Sequence, residues 1–182
     1  MSSGHNDPFT VSRDVEAVIV PAGISVKLRA GQAGYVTQAL GGSFTVYVEG
    51  NLFRIAGKDA DAIGQQVAAA PELPPDASDE DVRSIAWEQM KSCYDPEIPV
   101  NIVDLGLVYE CDVTPGDKGR VVSVKMTLTA PGCGMGEVLV QDVKDKVEVI
   151  PTIKRADVEL VFDLPWNQSM MSDAARLQTG MM

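Results

Sequence analysis

From Arg120 to Leu128 apolar and polar residues alternate without a break. Val122, Val124, Met126 and Leu128 fall on one side; Ser123, Lys125 and Thr127 fall on the other. A period of two belongs to a strand with one face buried. A second such run sets Ala156, Val158, Leu160 and Phe162 against Asp157, Glu159 and Val161. Between the runs, Met135, Leu139, Val143 and Val147 recur every fourth residue, the stripe of an amphipathic helix over about 135–149. The stretch from Arg120 to Phe162 is therefore long enough for a parallel strand–helix–strand crossover.

The flanking sequence extends this unit. A strand at about 106–113 and the turn Thr114-Pro115-Gly116-Asp117-Lys118-Gly119 make a hairpin with the first alternating run. Upstream, Ser78 followed by Asp81 resembles a capping box. Val82, Ile85, Ala86, Met90 and Cys93 then share one helical face. Asp95-Pro96-Glu97-Ile98-Pro99 stops that helix, because proline lacks the N–H and restricts its predecessor. Pro165 ends the last strand, and a short helix is expected at about Met170 to Leu177. The expected fold over 78–182 is α+β: a small mixed sheet with helices on one face, in the order helix, strand, strand, helix, strand, helix.

The first part reads differently. Residues 1–12 are polar and are expected to be a flexible tail. Over 13–70, short apolar runs are broken by glycine, as at Leu40-Gly41-Gly42 between Tyr35–Ala39 and Phe44–Val48, a hairpin signal. A small all-β domain is expected there, closed by a short helix at Lys58 to Ile63. Residues 71–77 hold three prolines and no periodicity, and read as a linker.

The chain has 26 acidic against 15 basic side chains, a net charge of -11, and its only adjacent basic pair is Lys154-Arg155. Binding to nucleic acid or an anionic membrane needs clustered cations, so neither partner is expected. No run approaches the roughly 18 apolar residues of a membrane span, and the polar N-terminal stretch has no apolar run that could act as a signal peptide, so neither is expected. Cys93, Cys111 and Cys133 are odd in number and widely spaced, which suits a reducing cytoplasm better than a disulfide framework.

Cys133 stands out among them. It lies in the loop Pro131-Gly132-Cys133-Gly134, where a strand ends and a helix begins. Exposed backbone donors and the positive helix end favour a thiolate there, making Cys133 a candidate reactive or metal-ligating residue. Cys111 shares a strand face with Leu107, Tyr109 and Val113 and reads as packing. Cys93, on an apolar helix face beside Asp95 and Glu97, reads first as packing, yet its position keeps it among the candidates. Asp95 and Glu97 form a candidate carboxylate pair, set against the plainer reading that they solvate a turn. His5 stands alone in the tail, which weighs against a Cys–His nucleophile pair. There is no CxxC and no phosphate-binding glycine loop.

Three stretches resemble a known family. Tyr94-Asp95-Pro96-Glu97-Ile98-Pro99 continuing through Asp104-Leu105-Gly106-Leu107-Val108-Tyr109 is similar to the signature of the iron–sulfur assembly domain shared by the SufT and PaaD-like proteins. Thr129-Ala130-Pro131-Gly132-Cys133-Gly134-Met135 resembles the second motif of that family, although many members carry proline where this chain has Gly134. Pro165-Trp166 with Met170, Met171, Ala175 and Arg176 resembles its C-terminal motif. The N-terminal half resembles the extension of the longer SufT-type members.

The resemblance implies an auxiliary role in iron–sulfur cluster assembly or maturation. The chain would be a carrier or targeting adaptor acting through Cys133, and not an enzyme. Thr129, Pro131, Gly132 and Gly134 would support the loop, with Asp95, Glu97 and Cys93 as further cluster-handling candidates. The cluster would be transient cargo, with Cys133 its metal ligand. The partners would be the assembly machinery and client apoproteins. One candidate thiol cannot complete a cluster that usually takes four, so a homodimer or partner complex is expected. Two other readings stay open on the residues alone: a cysteine-dependent thiol or acyl transferase, and a purely structural partner-binding module.

Overall fold

Glycine-broken apolar runs give strands too short to bury a face alone, so they must pair into one sheet. A computed structural model describes residues 7–20, 22–40, 43–67, 69–95, 98, 100–129 and 135–180. The chain divides into two compact units, Met1–Ala69 and Ala70–Met182.

The first unit is a six-stranded antiparallel sheet. Its strands are β1 (Asp7–Thr10), β2 (Val15–Ile19), β3 (Ile24–Leu28), β4 (Ala33–Leu40), β5 (Ser43–Val48) and β6 (Asn51–Ile55), in the spatial order β1-β4-β5-β6-β2-β3. Val36, Val46, Val48, Phe53 and Ile55 form the core with Val11, Val15 and Ala17. A 3-10 helix at Gly57–Ile63 adds buried Ala60, Ala62 and Ile63.

Two expectations are corrected here. Asp7–Thr10, expected within the flexible tail, pairs with β4. Val11 is buried, and its N–H donates to the Gln32 carbonyl at 2.8 Å. An edge strand tolerates Pro8, which a central strand would exclude. Ile24–Leu28, not expected as a strand, is the opposite edge. Only Leu28 on it is buried, so it carries almost no alternation to detect.

The second unit follows the expected order, with two short additions, one of them a 3-10 helix at Gln168–Met170. Ser78 and Asp81 close the capping box of helix α1 (Asp79–Met90), which buries Val82, Ala86 and Met90. A one-turn helix, α2 (Ile102–Leu105), then precedes β7 (Val108–Thr114), β8 (Arg120–Met126), α3 (Gly136–Glu148), β9 (Ile153–Leu160) and α4 (Asp173–Thr179). Strands β7 and β8 pair antiparallel, and β8 and β9 pair parallel, with Val124 beside Val158. Helix α1 packs on β7, α3 packs on β9, and the two helices pack on each other.

Val122, Val124, Met126, Leu128, Leu139, Val143, Val147 and Ala156 lie in one core. Phe162 does not join them and is 44% exposed. The chain leaves the sheet after Leu160, with the Val161 N–H donating to the Met126 carbonyl, so the pleat no longer aims side chains inward. Leu73, in the proline-rich stretch expected as a plain connector, packs on this core. Arg120 fastens the same stretch, donating to the Ala77 carbonyl at 2.8 Å and to Asp79 Oδ1 at 2.7 Å.

Candidate functional site

Helix α1 ends at Met90, and the chain enters the Asp95–Pro99 turn. Its mouth is closed by a bridge between Tyr94 and Asn101 and by Ile102 N–H donating to the Cys93 carbonyl at 2.9 Å. The Asp95 carboxylate points inward and is 5% exposed, contrary to the plain reading of a solvated turn residue. Its Oδ2 accepts the Ile98 N–H at 2.8 Å. Its Oδ1 accepts the Thr129 hydroxyl at 3.2 Å. Desolvating a carboxylate is costly unless donors replace its water, and these two supply that replacement.

Thr129 stands three residues beyond the end of β8, where the chain departs toward Cys133. The chain returns at Met135, which is buried, and at Gly136, where an added Cβ would stand 2.8 Å from Leu128 Cδ1. The two ends of the Cys133 stretch are thus in near contact, at the end of β8 beside Asp95. Glu97, Pro131, Gly132, Cys133 and Gly134 lie outside the described residues. Of the named candidates, the structure brings Asp95 and Thr129 together. It places Cys93 fully inside the core.

Cys111 is buried on β7, as its strand face suggests, and burial pushes its thiol up to about 11. Neither buried cysteine is presented to a ligand from solution.

The third stretch converges on the same region. Asn101 caps α2, its Oδ1 accepting the Asp104 N–H at 2.9 Å while its amide donates to Asp104 Oδ2 at 2.7 Å. Gly106 then takes φ 80. Trp166 Nε1–H donates to the Leu105 carbonyl at 2.6 Å, Ser172 N–H donates to the Asp104 carbonyl at 2.7 Å, and Tyr109 O–H donates to the Leu164 carbonyl. Burial raises the Tyr109 phenol above its ordinary value. Sequence reasoning missed α2. Its signal was present in Asn101, Asp104 and Gly106, a cap, a first-turn carboxylate and a left-handed stop.

Residues 85–160 match the family described as iron-sulfur cluster assembly protein. A Porphyromonas gingivalis protein named Fe-S protein maturation auxiliary factor is 46% identical over 91 residues, which are 50% of this chain and 84% of that protein. The chain belongs to the iron–sulfur cluster assembly family. Another relative, from Staphylococcus aureus and named Fe-S protein maturation auxiliary factor SufT, is 42% identical over 47% of this chain and 94% of its own. The crystal structure of a domain of unknown function, DUF59, from Bacillus anthracis aligns at 32% identity with a TM-score of 0.50. It covers 57% of this chain and 96% of that one. The family match lies within the second unit, the one that holds Asp95, Thr129 and Cys133. Among the described residues, no helix is long and apolar enough to cross a membrane.

Proposed function

We propose that this chain is an auxiliary factor in iron–sulfur protein maturation, a carrier or targeting adaptor that handles a cluster through Cys133. The observation that carries this reading is the Thr129–Asp95 hydrogen bond. It ties the root of the Cys133 stretch to a buried carboxylate in the acidic proline turn. A thiolate beside such a turn suits an iron-bearing cargo, since thiolate and carboxylate are both iron ligands. The cluster is cargo and not a resident cofactor, because burial of Cys93 and Cys111 leaves the chain one candidate thiol. The protein is not an enzyme. It works in the cytoplasm, where its partners are the assembly machinery and client apoproteins, and it draws the missing ligands from a second protein. The names of its relatives support this role.

Anaerobic reconstitution with iron and sulfide tests the proposal. The expected result is a visible charge-transfer absorbance in the parent protein that is lost in Cys133→Ser. Saturable turnover of small thioesters without any such absorbance would overturn it and favour a transferase.

A further inference from the structure

Between the end of β9 at Leu160 and the buried Met171, the stretch 162–170 buries no residue fully. Phe162 and Leu164 on it are 44% and 66% exposed. Its only regular structure is the 3-10 turn Gln168–Met170. Both of its roots are fixed. Val161 N–H donates to the Met126 carbonyl at 2.8 Å, and Ser172 N–H donates to the Asp104 carbonyl at 2.7 Å, while Met171 and Ala175 lie in the core.

Between these roots the stretch is tied across the second sheet. The Tyr109 hydroxyl donates to the Leu164 carbonyl and reaches Met170 Sδ at 3.8 Å. Trp166 Nε1–H donates to the Leu105 carbonyl at 2.6 Å. Thr127 lies beside the Tyr109 phenol. On β8, Thr127 continues the outward row of Ser123 and Lys125, both exposed, yet it is 0% exposed itself. Helices α1 and α3 pack on the opposite, core side of the sheet, so the cover over Thr127 comes from Tyr109 and the stretch that Tyr109 holds. The Thr127 Oγ1 has no hydrogen-bond partner among the described residues.

We infer that residues 162–170 form a strap that lifts off the outward face of the second sheet while the core beneath stays folded. Closure strips water from the Thr127 hydroxyl and supplies no replacement, which opposes the closed state. The exposed Phe162 and Leu164 show how little apolar burial favours it. A segment with few buried contacts between two anchored ends opens locally, at a free energy below that of global unfolding.

The use of this motion rests on the proposed function. Thr127 stands two residues before Thr129, in the stretch that leads to Cys133. An open strap therefore exposes the Thr127 and Tyr109 hydroxyls beside the candidate site, and a closed strap withholds them.

Native-state hydrogen exchange on the full chain, reduced and metal-free, tests the strap. The Trp166 indole N–H is the reporter, because its bond to the Leu105 carbonyl breaks on opening. Nitrogen-15 NMR resolves it, and Trp87→Phe assigns the signal. The expected result is a protection factor at least roughly tenfold below that of the β8 amides, insensitive to low urea. Thr127→Val keeps the shape and removes the unpartnered hydroxyl, so Trp166 protection should rise roughly tenfold. Tyr109→Phe removes the tether, and protection should fall by a similar factor while β8 stays unchanged. Far-UV circular dichroism checks that both variants are folded, and the parent measurement stands without them. Trp166 protection equal to that of β8, with the same urea dependence, overturns the inference, since the stretch would then open only with the whole unit. Protection that does not rise in folded Thr127→Val, or does not fall in folded Tyr109→Phe, also overturns it. The measurement uses no iron, so its failure is separate from a failure of Cys133 to hold a cluster.

Discussion

The Thr129 hydroxyl donates to the Asp95 carboxylate across 34 residues of chain, at 3.2 Å, joining the end of β8 to the turn that follows α1. The carboxylate is nearly inaccessible, and the Ile98 N–H occupies its other oxygen. Its orientation is therefore fixed from two directions, by the turn itself and by the stretch that leads to Cys133.

Removing one donor should show this coupling. Thr129→Val keeps the shape and deletes the hydroxyl, so the buried carboxylate loses a partner. The expected cost is about 1–3 kcal/mol of stability, read as a lower urea midpoint. Thr129→Ser should recover most of it. If the pair also orients the Cys133 stretch, Thr129→Val should retain less reconstituted cluster absorbance than Thr129→Ser when both are fully folded. Equal absorbance would confine the pair to a structural role.

Much of this architecture is legible in the amino-acid pattern, for identifiable physical reasons. The β8 and β9 runs alternate over enough residues that a register slip would bury Lys125 or Asp157, so the pattern itself decides their faces. The edge strands β1 and β3 are not legible, since each buries at most one side chain and has no pattern to read. Phe162 continues the alternation in the sequence but lies beyond the last sheet hydrogen bond, where periodicity carries no meaning. At the site, the sequence nominates Asp95 and Thr129 separately. Their pairing depends on where β8 ends relative to the acidic turn, a tertiary relationship that no local pattern encodes.

Gly106 offers a second test, of how the C-terminal motif is seated. Its φ of 80 is a left-handed conformation that L side chains rarely adopt, and an added Cβ would stand 2.4 Å from the Met170 carbonyl oxygen. Gly106→Ala should cost about 2 kcal/mol or more. The clash should loosen the segment that holds Trp166 against the Leu105 carbonyl, so tryptophan emission should shift to the red before global unfolding. Trp87 provides the unshifted background, and a Trp87→Phe background isolates the signal. An unchanged spectrum and midpoint would mean that the segment yields without cost.

The cysteines give the sharpest contrast. Cys93 and Cys111 are buried in the second core. Burial raises the Cys111 thiol from an ordinary value of 9.0 to about 11. At neutral pH native protein should therefore take up iodoacetamide rapidly only at Cys133, with Cys93 and Cys111 reacting after denaturation, as peptide mass spectrometry can map. The Cys111 shift also fixes a sign for alkaline stability. Below pH 9 the folded and unfolded chains both keep this proton, and its contribution to stability is fully present. Between pH 9 and about 11 the unfolded thiol ionises first, so stability falls as pH rises through the folded value. The drop in thermal midpoint between pH 8 and pH 10.5 should consequently be smaller in Cys111→Val, which fills the strand position with an apolar side chain and cannot ionise. Equal drops in the two proteins would assign the alkaline loss to other groups, and rapid native alkylation of Cys111 would mean that β7 opens far more often than its buried packing allows.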